Sequence, residues 1–129
     1  MIQLEGSGWR LFRDPKRPLF SVLIGGEHWA FELSESEACA LASLVEELTG
    51  QHRSICDQLM AEEAITVELE RDGWWGCLEG DRLRWSLRAI RSGDADQARG
   101  LEFCWPHPAS QAIAEAMRTL WDSSTDQSS

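Results

Sequence analysis

Glu70-Arg-Asp-Gly-Trp-Trp-Gly-Cys-Leu-Glu-Gly-Asp-Arg-Leu-Arg-Trp85 holds three of the chain's seven tryptophans, two of them adjacent. Adjacent residues on a strand point to opposite faces, so with Trp74 inward, Trp75 faces out. The preceding run, Ile65-Thr-Val-Glu-Leu-Glu-Arg71, alternates strictly. Ile65, Val67 and Leu69 share one face and Thr66, Glu68 and Glu70 the other, the pattern of a half-buried antiparallel strand. The two stretches read as successive strands of a sheet with one packed face and one wet face. Taking Gly80-Asp81 as a two-residue turn sets Trp74 opposite Leu87, Gly76 opposite Trp85 and Leu78 opposite Leu83 on the core side. Gly76 then leaves room for the Trp85 ring. On the outer side Trp75 faces Ser86, with Arg84 and Arg88 as diagonal neighbours.

Working outward, Leu19 to Leu33 shows two short β runs around Gly25-Gly26. A two-residue hairpin there pairs Val22 with Trp29 and Phe20 with Phe31. Gly8 to Asp14 reads as an earlier strand, ended by the loop Pro15 to Pro18, and Met1 to Leu4 fits a further one. Ser34-Glu-Ser-Glu37 is a capping box that starts a helix. Its stripe of Ala38, Leu41, Leu44, Val45 and Leu48 runs to Gly50, expected as the C-terminal stop. A shorter helix over 52–63 would present Ile55, Leu59 and Met60. After a polar loop at 92–99, Leu101 to Trp105 is a short strand. Pro106-His-Pro108 opens a last helix, with Pro108 at its first position and Ile113, Ala116, Met117 and Leu120 as its stripe. The order is three or four strands, helix, four strands, helix. It predicts an α+β fold with antiparallel sheets and helices packed on them, one domain over residues 1–121 and a disordered tail over 122–129.

At 129 residues with a formal charge of −10, the chain can bury a core unaided and is poorly suited to generic attraction to phosphates or anionic membranes. No apolar run approaches the roughly 18 residues of a spanning helix. Four widely spaced cysteines and no hydrophobic leader predict free thiols in a reducing cytoplasm. Charge is segregated: residues 27–63 carry nine acids against Arg53, whereas 71–91 carries Arg71, Arg82, Arg84, Arg88 and Arg91 against three acids.

Three segments together carry a resemblance: Leu23-Ile-Gly-Gly-Glu-His-Trp-Ala-Phe-Glu-Leu-Ser-Glu-Ser-Glu37, Leu59-Met-Ala-Glu-Glu63 and Gly100-Leu-Glu-Phe-Cys-Trp105. The chain resembles a small, uncharacterised cyanobacterial family of unknown function. That resemblance implies a Whirly-like fold, in which two strands-then-helix repeats build the architecture of single-stranded-DNA-binding transcription regulators. It supplies no site residues.

The candidate binding residues are Trp75, Arg82, Arg84 and Arg88. An outward indole among arginines could stack bases and hold phosphates. The simpler reading is that the arginines pair with Glu68, Glu70 and Glu79 and cover Trp75 with their stems. Trp9, Trp29, Trp74, Trp85 and Trp105 read as core. His52 with Cys56, and Cys104 with His107, fall short of the three or four ligands that zinc takes, so no metal is expected. Adjacent acids such as Glu46-Glu47 diverge around a helix and make no acid/base couple. No nucleophile elbow or phosphate loop is present, and no cofactor is implied. The expectation is a non-catalytic cytoplasmic binding module with a protein partner; the alternative is a single-stranded nucleic-acid-binding regulator using the Trp/Arg strand face.

Overall fold

The computed structural model describes residues 1–58, 63–92 and 100–128, with side chains of the last helix through Leu120. Strands β1 (Ile2–Gly6), β2 (Trp9–Arg13), β3 (Val22–Gly26) and β4 (Ala30–Leu33) precede helix α1 (Glu35–Gln58). Strands β5 (Ile65–Arg71), β6 (Trp74–Gly80), β7 (Trp85–Arg91) and β8 (Leu101–Trp105) precede helix α2 (Ala109–Ser128), which extends past the end expected at 121. Each set of four strands forms its own antiparallel sheet in sequence order. The α+β class, the antiparallel sheets and the strands-then-helix order, twice over, are as expected.

The helices are exchanged between the sheets. α1 follows the first sheet yet packs on β5 and β6 of the second, and α2 follows the second yet packs on β1 and β2 of the first. One continuous core results, running from Leu11, Ile24 and Leu33 through the α1 stripe to Trp74, Leu78 and Leu87. Between the sheets, Trp29 stacks on Phe103 at 5.0 Å, and the Trp105 Nε1–H donates to the Gly25 carbonyl at 3.0 Å.

The capping box forms in both directions. The Glu37 N–H donates to Ser34 Oγ at 3.2 Å, while the Ser34 N–H donates to Glu37 Oε1 at 2.8 Å. Beyond it, α1 runs through Gly50, where no stop occurs. A Cβ on Gly50 would meet nothing within 4 Å, so the residue lies on the solvent side of the helix. The stripe continues with buried His52 and Cys56 and part-buried Ile55. His52 is therefore a core residue: its Nε2–H donates to the Gly80 carbonyl at 2.8 Å, and Cys56 Sγ lies 3.8 Å from its ring. Leu59 and Met60 of the expected second helix lie outside the described residues. Pro108 precedes α2 by one position, and its carbonyl accepts from the Ala112 N–H.

Both central hairpins are re-registered. In the first sheet Val22 pairs with Leu33 and Ile24 with Phe31. In the second, Trp74 pairs with Arg91, Gly76 with Ala89 and Leu78 with Leu87, so each residue's partner lies four positions beyond the one expected. The cause is longer turns. Asp81 Oδ1 accepts from the backbone N–H of Leu83 and of Arg84 at 2.9 and 2.8 Å, which holds Asp81 to Arg84 as a loop. These bonds keep its carboxyl below the ordinary aspartate range. Leu83, expected in the core, is 73% exposed at the tip of that loop. Gly76 makes room for α1 and has no bearing on Trp85, because a Cβ there would sit 2.7 Å from Leu48 Cδ1 and 2.9 Å from Leu44 Cδ2.

Where β2 and β3 meet α1, Arg13 ion-pairs with Glu35 in the first turn, and the Ser21 hydroxyl donates to Glu35 at 2.5 Å. Partial burial pushes the Glu35 carboxyl up. The hydrogen bonds from Arg13 and Ser21 and the Arg13 charge outweigh that, leaving it below its ordinary value. A carboxyl depressed in the folded state contributes stability above its unfolded pKa and loses it as the pH falls through the folded one. Glu35→Gln should therefore be less stable than wild type at pH 7, with the gap closing below the ordinary glutamate range of about 4.3. Urea melts at neutral and acid pH check this.

Candidate functional site: the outer face of the second sheet

No described element covers the side of the second sheet opposite α1. Two cross-strand rows define it: Glu68, Cys77, Arg88 and Cys104, then Glu70, Trp75, Ile90 and Glu102. Thr66, Glu79 and Ser86 continue the surface toward the β6–β7 turn. Trp75 and Ile90 are half-buried directly opposite each other, an apolar centre on a wet face. Trp75 faces outward, as its parity requires.

The four candidate residues do not converge. Arg88 stays with Trp75, its guanidinium 5.9 Å from the ring centroid, and ion-pairs with Glu102 at 2.5 Å. Arg84 is carried off the sheet into the turn. Arg82 leaves the face entirely to reach the end of α1, donating to the Cys56 carbonyl at 3.0 Å and pairing with Asp57 at 2.9 Å. α1 has no basic residue in its last turn, so Arg82 supplies the cation that its terminal carbonyls favour.

The segregated charge has the same explanation. Arg71 pairs with Glu47 at 2.5 Å, and Arg91 pairs with Glu37 at 3.1 Å while lying over the Trp74 ring. Three of the five arginines of 71–91 thus meet acids of α1. Their partners are acids of the helix, where the expectation for the strand-face arginines was Glu68, Glu70 and Glu79. What is left outward is acidic: Glu68, Glu70, Glu79 and Glu102 against Arg88. Taken as formal charges among the described residues, four against one leaves −3 on a face that the linear sequence presents as basic.

The two thiols flanking Arg88 are not primed for chemistry. Burial raises the Cys77 pKa, with Glu68 and Glu79 adding to it and Arg88 opposing, and burial likewise raises that of Cys104. Both stay protonated at neutral pH, and the thiolate is the nucleophile. Among the described residues all four cysteines are free, and no group of three or more His, Cys, Asp or Glu is placed to hold a metal. A hollow of about 460 Å³ lies beside Ser36, Cys39, Ser43 and Asp72, where Glu37 and Arg91 already engage each other. No helix among the described residues is long and apolar enough to cross a membrane.

Ile90, Glu102 and the placing of Cys77 and Cys104 on either side of Arg88 are the parts of this face that sequence reasoning missed. Their signal is the alternation of Trp85 to Arg91 and Leu101 to Glu102-Phe103-Cys104, legible once β7 and β8 are placed side by side.

No curated protein matches the chain. Among solved structures, it is similar to the crystal structure of a protein of unknown function from Prochlorococcus sp. NATL2A, described as of the DUF155 family. The two share 45% identity over 94% of this chain and 99% of that one, with a TM-score of 0.87. Residues 4–120 match the profile of a domain of unknown function, and on that extent the chain belongs to the DUF1818 family.

Proposed function

We propose that this chain is a non-catalytic, cytoplasmic binding module of Whirly-like build whose outer second-sheet face docks a protein partner carrying basic residues. The observation that carries the reading is the composition of that face: a half-buried Trp75–Ile90 pair ringed by four glutamates, with Arg88, the one arginine among its described residues, already held by Glu102. Aromatic residues are enriched at the centres of protein interfaces. The same acidity opposes nucleic acid, whose affinity comes chiefly from cations that neutralise phosphates. Trp75 over Arg88 and the order of elements favour the alternative, a single-stranded nucleic-acid regulator, and one experiment separates the two.

Wild-type and Trp75→Ala baits are compared in affinity capture from the native lysate, with and without nuclease. The substitution removes a partly exposed cross-strand contact, so it should lower stability by only about 1 kcal/mol and leave the fold intact. Proteins recovered by wild type and lost from Trp75→Ala, with nuclease indifferent, are the expected result. Identical recovery by both baits would reject the face as a docking site. Nuclease-sensitive recovery, together with sub-micromolar oligonucleotide affinity at about 150 mM salt, would transfer the face to the nucleic-acid reading.

A further inference from the structure

We propose that the free edge of β5 accepts an extended segment of the partner as a fifth strand of the second sheet, and that this segment alternates basic and apolar residues. The inference rests on the protein-docking reading of the outer face and names the chemistry of the partner.

β5 pairs only with β6, so along its other side the outward-pointing N–H and C=O groups meet no strand among the described elements. Edges of this kind are usually blunted by lysine, proline, a bulge or shortness. β5 is seven residues of Ile-Thr-Val-Glu-Leu-Glu-Arg with an unbroken ladder to β6, and it has no lysine, proline or bulge; its outward charges are Glu68 and Glu70, which repel an acidic strand and admit a basic one. The other edges are better protected. β4 and β8 are bound up with each other through Trp29, Phe31, Phe103 and Trp105. β1 is shorter, at five residues, and ends in glycine.

The side chains of β5 specify what could add there. Its inward row, Ile65, Val67 and Leu69, packs on the core, yet Ile65 and Leu69 are only partly buried. An added strand would bring its own apolar row over that unfinished border. Its opposite row would stand beside exposed Glu68 and Glu70, at the close spacing of cross-strand neighbours, where opposite charges stabilise and like charges repel. Arg71 does not neutralise this row, because it is turned to Glu47 of α1. A second copy of this chain is a poor occupant, since it would bring the same glutamates and the same net charge of −10. An extended segment with lysine or arginine at every second position and aliphatic residues between satisfies both rows. Strand addition of this kind takes affinity from the main chain and specificity from alternate side chains.

The test uses the full chain and three labelled, end-capped peptides of the length of β5: one alternating lysine and valine, one with the same residues in two blocks, and the alternating one with every internal amide N-methylated. The alternating peptide should bind at least about tenfold more tightly than the other two. On binding, β5 amides that point away from β6 should gain protection from hydrogen exchange while β1 amides do not. Glu68→Lys with Glu70→Lys, two exposed substitutions, should erase the preference. Equal binding of all three peptides, weakened throughout by Trp75→Ala, would overturn the edge proposal and leave the docking face standing. Preference for the alternating peptide that Trp75→Ala does not alter would retain the edge and count against the face. If the alternating peptide binds no better than a fourth peptide of the same length, which alternates glutamate and valine, the edge proposal is overturned outright.

Discussion

Trp74→Ala should cost about 3 to 5 kcal/mol, the range for emptying a large aromatic site in a close-packed core. Trp74 is fully buried, and its ring meets Phe103 edge-on with centroids 5.8 Å apart. Its Nε1–H donates to the Glu37 carbonyl at 3.1 Å, fastening the start of β6 to the first turn of α1. Arg91 lies over the other side of the ring, 5.6 Å from its centroid, and pairs with Glu37. Removal of the indole therefore opens a cavity and frees the helix start together. Urea melts should show a lower midpoint at unchanged slope. Trp75→Ala, one residue on, should be several times milder. A Trp75 variant more damaging than the Trp74 variant would mean that the strand presents the opposite face.

Gly80→Ala is the second large effect, and it acts through the backbone. A Cβ on Gly80 would lie 2.2 Å from the Arg84 carbonyl oxygen and 2.5 Å from Trp85 Cα, at a φ of +149° that side chains of L-residues rarely adopt. Main-chain atoms of the turn cannot swing aside as a side-chain tip could. Any relief also shifts the Gly80 carbonyl that buried His52 holds at 2.8 Å, carrying the strain into α1. A loss of about 3 kcal/mol or more is expected. Gly50→Ala is the contrasting case, a solvent-facing helix position with open space around the new methyl. It should gain about 0.5 to 1 kcal/mol. Thermal melts of the two variants should move in opposite directions.

What the sequence made legible was parity. Alternation fixed which side chains of β5 and β6 face the core, and a partner offset of four residues preserves every one of those assignments, where an offset of one would have inverted them. Register was illegible because Gly-Gly and Gly-Asp look like two-residue turns. The informative residue was Asp81, whose carboxylate can capture amides two and three residues ahead and so lengthen the loop. That error moved Arg84 off the site and brought Ile90 onto it. Gly50 misled in a similar way, since a glycine on the wet side of a helix has no need to end it. His52 concealed the continuing stripe by being polar, although Leu48, His52, Ile55 and Cys56 keep helical spacing. The basic look of 71–91 failed for a tertiary reason: Arg71, Arg82 and Arg91 answer acids of α1, and no count along the chain reveals which charges meet across a helix and a sheet.

The exchange of helices between the sheets has a consequence for how the molecule comes into being. When synthesis has passed α1, the first sheet still lacks its cover and α1 still lacks the strands it is to lie on, so neither can complete its burial. The first sheet must wait for the last helix, whose packing on β1 and β2 joins the two ends of the chain. Such long-range closure slows folding and defers it until α2 has been made. Cutting between α1 and β5 would give two fragments that each carry the other's lid, insoluble apart and recoverable only when mixed.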